Sequence, residues 1–174
     1  MNYILIDNFF KEPDDVRKLA LSKEYTKSSN KTGWKGYRTN IDDIELVNYI
    51  KNKLIEIDDK FKNLEISESY FHYSLESTKD ELSDNFEKRR LHRDTTEWAG
   101  VIYLTPNPTK NSGTTLHNDN EDLMHTIDNI FNRFVFYRGN ILHGVQDTFG
   151  SSIENARFTV TIFGSIIKSK KTII

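Results

Sequence analysis

The sequence predicts an α+β protein in which two helices come first and support a later β-sheet layer. Acidic residues and a proline mark two helix starts before residue 63, and apolar residues there recur every three or four positions. After residue 63 the apolar period falls to two, and aromatic and β-branched residues become frequent, which is typical of strands. Helices followed by strands favour separate layers of helix and sheet.

The elements are predicted in chain order. A short strand is expected at residues 2–6, and a helix begins at Pro13, because proline fits the first helical turn. A second helix begins near Asp43 and extends towards Phe61. The later strands are predicted at residues 66–75, 98–104, 114–117, 134–137 and 157–166.

The length of 174 residues suits one domain. We expect it to span residues 1–174, with helical support in about 1–63 and a strand-rich core in about 64–167. Residues 76–90 are almost entirely polar and too long for a simple turn, so they are a candidate lid.

Composition limits the partners. A net charge of −2 makes nucleic acid an unlikely ligand, and the basic run at residues 168–171 is interpreted as a solvated tail. Without cysteine, any metal must bind His, Asp or Glu. No apolar run approaches the ~20 residues of a membrane helix, and no secretory segment is evident, so a cytoplasmic protein without membrane contact is expected.

A candidate metal site begins at His92-Arg-Asp94. Residues two apart on a strand face the same side, so this imidazole and carboxylate can reach one ion. His143 follows a predicted strand and a glycine turn, and it is the candidate third ligand. Two histidines and one carboxylate form the facial triad of non-haem Fe(II) oxygenases, which leaves open coordination positions.

A second triplet of the same type, His117-Asn-Asp119, competes with the first. It lies 26 residues before His143, whereas His92 lies 51 residues before it. The shorter segment is judged too short for the intervening strands and turns of a closed barrel. We therefore favour His92 and Asp94, and keep His117 and Asp119 as an alternative pair that could face a substrate.

Arg157 is the candidate for binding an anion. Residues 157–163 alternate in polarity, so Arg157, Thr159 and Thr161 share one face of a strand. An inward guanidinium needs an anionic partner, and its planar fork suits a carboxylate, with Thr159 as a further hydroxyl donor. The alternative is that Arg157 pairs with an acid at the surface.

The motif order resembles the 2-oxoglutarate and Fe(II)-dependent dioxygenases, and within them the prolyl 4-hydroxylase-like branch. The opening Ile-Asp-Asn-Phe-Phe-Lys-Glu-Pro is similar to the start of that branch, and residues 34–39 resemble small phage-type and bacterial relatives. The matching strings within residues 66–167 are His92-Arg-Asp94, Trp98-Ala-Gly-Val-Ile-Tyr103-Leu-Thr-Pro, Ser112-Gly113, His143-Gly-Val and Arg157-Phe-Thr159. One departure is Ser112-Gly-Thr-Thr-Leu, where the family has a second glycine.

The resemblance implies a double-stranded β-helix, a jelly-roll or cupin-like barrel with Fe(II) at one mouth. It also implies that the ligands are His92, Asp94 and His143, and that 2-oxoglutarate and O2 are cosubstrates. The residues implied for 2-oxoglutarate binding are Arg157, which would pair with the distal carboxylate, together with Thr159, Tyr103 and Tyr73. Tyr103 could equally be a core aromatic residue.

The implied reaction is hydroxylation of a substrate, coupled to decarboxylation of 2-oxoglutarate to succinate and CO2. A peptidyl proline or another protein or amino-acid side chain is the favoured substrate, with a small molecule as the alternative. Two other functions stay open: a cupin-like metal enzyme without 2-oxoglutarate, which gives Arg157 no task, and a non-enzymatic jelly-roll module for binding or structure.

Overall fold

The computed structural model of the protein describes residues 3–29, 34–78 and 91–167. Most of the proposed lid and the basic run at 168–171 lie outside these residues. The strands of the described residues are β1 (Tyr3–Ile6), β2 (Thr26–Lys27), β3 (Tyr37–Asn40), β4 (Leu64–Ser74), β5 (Trp98–Tyr103), β6 (Thr114–His117), β7 (Leu123–Ile127), β8 (Phe134–Arg138), β9 (Leu142–Val145) and β10 (Arg157–Ile166).

Two helices precede most of the strands. Helix α1 (Pro13–Leu21) has its proline and two acids in the first turn, where they suit the helix dipole. Helix α2 (Ile44–Ile57) begins after Asp43, whose carboxylate accepts two backbone N–H groups. It ends before Phe61 because Asp58 has an extended backbone, and a short 3-10 helix follows. Neither helix is long and apolar enough to cross a membrane.

The strands form two antiparallel sheets. The larger sheet has the order β1-β8-β5-β10-β4-β3-β2, and the smaller has the order β7-β6-β9. The long β10 lies at the centre, between β4 and β5. This arrangement confirms the predicted α+β class and is consistent with a double-stranded β-helix.

One hydrophobic core lies between the helices and the larger sheet. Helix α2 contributes Ile50 and Leu54, and the sheet contributes Phe71 and Phe158, all fully buried. Aromatic stacking, such as that of Trp98 on a neighbouring phenyl ring, fills this core. The helices therefore cover one face of the larger sheet, and its other face is turned towards the smaller sheet.

The second core lies between the two sheets. Leu116 of the smaller sheet packs with Ala99, Tyr103, Val135 and Tyr137 of the larger one. These side chains cover only part of the inner face. The rest of that face is polar and carries the candidate site.

Candidate active site

His92, Asp94 and His143 come together beside the second core. The backbones of His92 and His143 exchange two N–H···O bonds of 2.9 Å, and Asp94 donates its N–H to the Gly139 carbonyl at 2.8 Å. Nε2 of His92 lies 3.7 Å from Oδ1 of Asp94, and Nε2 of His143 lies 3.2 Å from Oδ2. One ligand atom of each residue lies within 4.8 Å of the other two. Local backbone pairing thus holds three metal-binding side chains in one place.

The chemistry of this cluster fits a divalent metal. Nδ1 of His143 is 2.8 Å from the Ile141 carbonyl, which can only accept, so Nδ1 carries the hydrogen and Nε2 turns towards Asp94. Oδ2 of Asp94 is buried and has no hydrogen-bond partner among the described residues. A cation between these atoms would satisfy both. The donor set of two imidazoles and one carboxylate is the facial triad of Fe(II) sites.

Access to the cluster is one-sided. The His143 side chain is 5% exposed and that of Asp94 is 13% exposed, whereas that of His92 is 54% exposed. The Tyr137 ring covers His143, with ring centroids 4.7 Å apart. Burial raises the pKa of Tyr137 well above its usual value, so this neighbour is a neutral phenol.

Strand register keeps His117 out of the cluster. Leu116 lies opposite His143 in the β6–β9 pair, so these two residues face the interior while His117 faces the other way. Nδ1 of His117 lies 2.9 Å from the Glu121 carbonyl, and Asp119 is an exposed partner of a surface arginine. The described residues contain no second cluster of potential metal ligands.

The segment between His117 and His143 is not too short for intervening strands, contrary to expectation, although His92 and Asp94 are the pair that lies beside His143. The 25 residues between His117 and His143 hold two complete strands, β7 and β8. Length therefore did not exclude His117. The alternation of side chains along β6 does.

Arg157 is a buried cation without a carboxylate partner among the described residues. It is 3% exposed and starts β10. Its Nε donates to the Ser112 carbonyl at 2.8 Å, Nη2 makes a longer contact of 3.4 Å with the Gly113 carbonyl, and the Tyr103 ring centroid lies 5.5 Å away. Burial lowers the pKa of Arg157, but a guanidinium stays charged. Such a group calls for an anionic ligand.

One cavity of about 460 Å³ contains both features, a volume typical of small-molecule sites. Its lining includes the three candidate ligands and Arg157. Val145, two residues after His143 on β9, pairs with Thr114, which follows the Gly113 carbonyl that Arg157 contacts. Gly113 itself lies opposite Gln146, three residues after His143, and three residues span about 10 Å of strand, so the candidate metal and anion sites are close neighbours.

Tyr103 lies directly beside Arg157. Its hydroxyl is 2.6 Å from Oγ1 of Thr114, and the residue is fully buried. Burial raises the pKa of Tyr103, so the hydroxyl is a neutral hydrogen-bonding group. Tyr103 is part of the second core, as one of the two alternatives expected, and its ring also lies against the Arg157 guanidinium. Its contact with 2-oxoglutarate stays a prediction.

Thr159 has a different place from the one expected. Its hydroxyl donates to the His72 backbone carbonyl at 3.3 Å, and the residue is not part of the cavity lining. Thr161 instead lines the cavity, and its Oγ1 is buried without a hydrogen-bond partner among the described residues. The hydroxyl available to a ligand on this strand is thus two residues further along.

Tyr73 lies on the wrong face of β4 for its expected role. Its ring stacks on Tyr37 at 4.5 Å and packs against Phe158 in the helix-side core. Its neighbours His72 and Ser74 line the cavity. As placed, Tyr73 cannot contact a ligand there, which corrects that expectation.

His72 is a cavity residue that the sequence did not single out. Its Nε2 lies 2.7 Å from the Lys35 carbonyl and therefore donates a hydrogen. Burial, with the nearby positive charges of Arg38 and Arg157, lowers the pKa of His72 to about 3. The side chain is neutral, and only knowledge of the β4 register would have pointed to it.

No family model and no curated protein sequence matches this chain. Solved structures do. A Trichoplax adhaerens prolyl hydroxylase, in complex with a hypoxia inducible factor oxygen degradation domain peptide fragment, has a TM-score of 0.67 and 14% identity, covering 94% of this chain and 83% of that one. A Pseudomonas putida prolyl-4-hydroxylase has a TM-score of 0.66 and 16% identity, covering 96% and 94%.

A third similar structure is HygX from Streptomyces hygroscopicus, with nickel, 2-oxoglutarate and hygromycin B bound. It has a TM-score of 0.63 and 9% identity, covering 94% of this chain and 82% of that one. At such low identities the likeness concerns the fold. The chain has the jelly-roll fold of the prolyl hydroxylases and other 2-oxoglutarate–Fe(II) oxygenases, as its motif order predicted.

Proposed function

We propose that this protein is a 2-oxoglutarate- and Fe(II)-dependent oxygenase that hydroxylates a peptide, amino-acid or other small-molecule substrate. The observation that carries the proposal is Arg157. It is a buried guanidinium, without a carboxylate partner among the described residues, in the same cavity as His92, Asp94 and His143. The roughly 10 Å of strand between the two sites suits a five-carbon dicarboxylate that contacts a metal at one end and a guanidinium at the other.

Each residue has a distinct task in this proposal. His92, Asp94 and His143 would hold Fe(II), and Arg157 would pair with the distal carboxylate of 2-oxoglutarate, supported by Tyr103. The chemistry that Fe(II) would supply when bound is oxidation of a substrate C–H bond by O2, coupled to conversion of 2-oxoglutarate to succinate and CO2. The protein's own residues would bind and orient Fe(II), 2-oxoglutarate and the substrate, and would limit the access of water. No side-chain nucleophile is required.

The alternatives explain less of the site. A cupin-like metal enzyme without 2-oxoglutarate leaves the buried charge of Arg157 without a ligand. A non-enzymatic jelly-roll module leaves both that charge and the unpartnered Oδ2 of Asp94 without a purpose.

Succinate production tests the proposal. The protein is purified without oxygen, loaded with Fe(II) and 2-oxoglutarate, and exposed to O2, and succinate and bound iron are then measured. Even slow turnover in the absence of substrate produces a measurable amount of succinate. We expect the wild type to form succinate, and the variants His143→Ala and Asp94→Ala to lose both iron and succinate.

The second HxD triplet offers a matched control. His117→Ala removes a histidine of the same sheet that faces away from the cluster. It should keep wild-type iron content and succinate yield. Succinate that persists in His143→Ala, or iron lost equally from His117→Ala, would be incompatible with the proposed site.

A further inference from the structure

A second guanidinium, that of Arg38, lines the same cavity. Arg38 is on β3, directly opposite His72 on β4, which in turn lies opposite Thr159 on β10. Residues opposite each other share a face, so Arg38 continues this row on the inner face of the sheet. Two strand spacings separate it from β10, about 10 Å. Arg38 is therefore apart from Arg157, towards the edge of the larger sheet.

Two aromatic rings hold Arg38 in place. Its guanidinium carbon lies 4.8 Å from the Trp34 ring centroid and 5.0 Å from that of Tyr70. These contacts restrict the long side chain before any ligand arrives, which lowers the entropy cost of binding. Trp34 also lines the cavity.

The hydrogen-bonding capacity of Arg38 is unused within the described residues. Its Nε is buried and has no hydrogen-bond partner there, and no described acid forms an ion pair with it. Glu68, another cavity residue, acts on Arg38 electrostatically, but its carboxylate accepts a hydrogen bond from the Tyr70 hydroxyl at 2.7 Å. A half-buried guanidinium whose Nε has no partner among the described residues fits the two oxygens of a carboxylate.

We infer that Arg38 binds a carboxylate of the substrate. The inference rests on the proposed function, in which Arg157 is occupied by 2-oxoglutarate and the rest of the cavity receives the substrate. The carboxylate can belong to a free amino acid or to the C-terminus of a peptide. The competing explanation is that Arg38 only offsets the negative charges of Glu68 and Asp94, which act on it electrostatically.

Trp34 provides a direct readout of binding. The chain has only two tryptophans, and Trp98 is 2% exposed in the core. A ligand on Arg38 should therefore change the emission of Trp34. The protein is kept anaerobic with Fe(II) and saturating 2-oxoglutarate, so that Arg157 is occupied. The probes are the twenty L-amino acids and a set of tripeptides, each as the free acid and as the C-terminal amide.

We expect at least one free acid to bind about tenfold or more tightly than its amide, because the amide loses a charge-assisted hydrogen bond. Arg38→Met should lower the affinity for the free acid to that for its amide, and should leave the affinity for the amide unchanged. Lys35→Met is the matched control, because Lys35 is another cation of the same cavity. Its affinity for the free acid should stay within about twofold of the wild-type value. Whether the amino acids or the tripeptides respond identifies the source of the carboxylate.

Two outcomes would overturn the inference. One is that no free acid binds more tightly than its amide, and the other is that Arg38→Met and Lys35→Met lose equal affinity for the free acid. Calorimetric titration of 2-oxoglutarate distinguishes failure of the Arg38 inference from failure of the proposed function. Wild type and Arg38→Met should bind 2-oxoglutarate equally. Absence of 2-oxoglutarate binding in the wild type contradicts the proposed function itself.

Discussion

Replacing Arg157 with methionine should separate ligand binding from stability. Methionine has a similar length but no charge and no hydrogen-bond donors. A carboxylate held by the guanidinium would lose its charge-assisted hydrogen bonds, and truncating one partner of a buried charge pair costs about 2–5 kcal/mol. With a central value of about 3 kcal/mol, the affinity for 2-oxoglutarate should fall by roughly a hundredfold or more.

Stability should not fall in parallel. In the free protein, within the part of the chain that the structure describes, the Arg157 charge is compensated by just two carbonyl contacts and the Tyr103 ring. Replacing an uncompensated buried charge with an apolar side chain is often neutral or stabilising. We therefore expect the unfolding free energy of the metal-free protein to change by less than about 1 kcal/mol, or to rise.

Calorimetric titration of 2-oxoglutarate and urea unfolding of the metal-free protein measure the two effects. Arg133→Met is the control, because Arg133 pairs with Asp7 at 2.6 and 2.9 Å outside the cavity and should leave the affinity unchanged. Unchanged 2-oxoglutarate affinity in Arg157→Met would refute the assignment of this residue. Severe destabilisation would show that the guanidinium is structural.

Three further predictions concern stability and pH. In the wild type, lowering the pH from about 6.5 to about 3 should reduce the unfolding free energy by up to about 1.4 kcal/mol per pH unit, because the unfolded chain binds a proton that folded His72 excludes. Urea titrations should show that this pH dependence is weaker in His72→Gln. Gly113→Ala should cost at least about 2 kcal/mol in the same assay, since a Cβ there would lie 1.8 Å from the Ile127 carbonyl oxygen, and full stability would disprove this close approach. Asp43→Ala should cost about 1 kcal/mol of thermal stability through loss of the α2 cap, whereas Asp43→Asn should retain most of it.

Elements with strong alternation were the most predictable. The bounds of β6 and β10 match the predicted strands at 114–117 and 157–166, because polar and apolar residues alternate clearly in β10 and both strands follow loop sequences. The short β2, β3, β7 and β9 were missed. β7 is mostly exposed, and the other three have four residues or fewer, so their pairing partners determine them more than local preference does.

The amino-acid order alone was enough to predict the chemistry of the candidate site: which side chains can bind a metal, and that Arg157 faces the same side of β10 as Thr161. Which neighbours join these side chains depends on how distant strands pair. A shift of one residue turns a side chain to the opposite face, and long-range pairing sets that register. This is why His72 faces the cavity and Tyr73 the core, and why Arg38, far away in sequence, lies on the same inner row as His72.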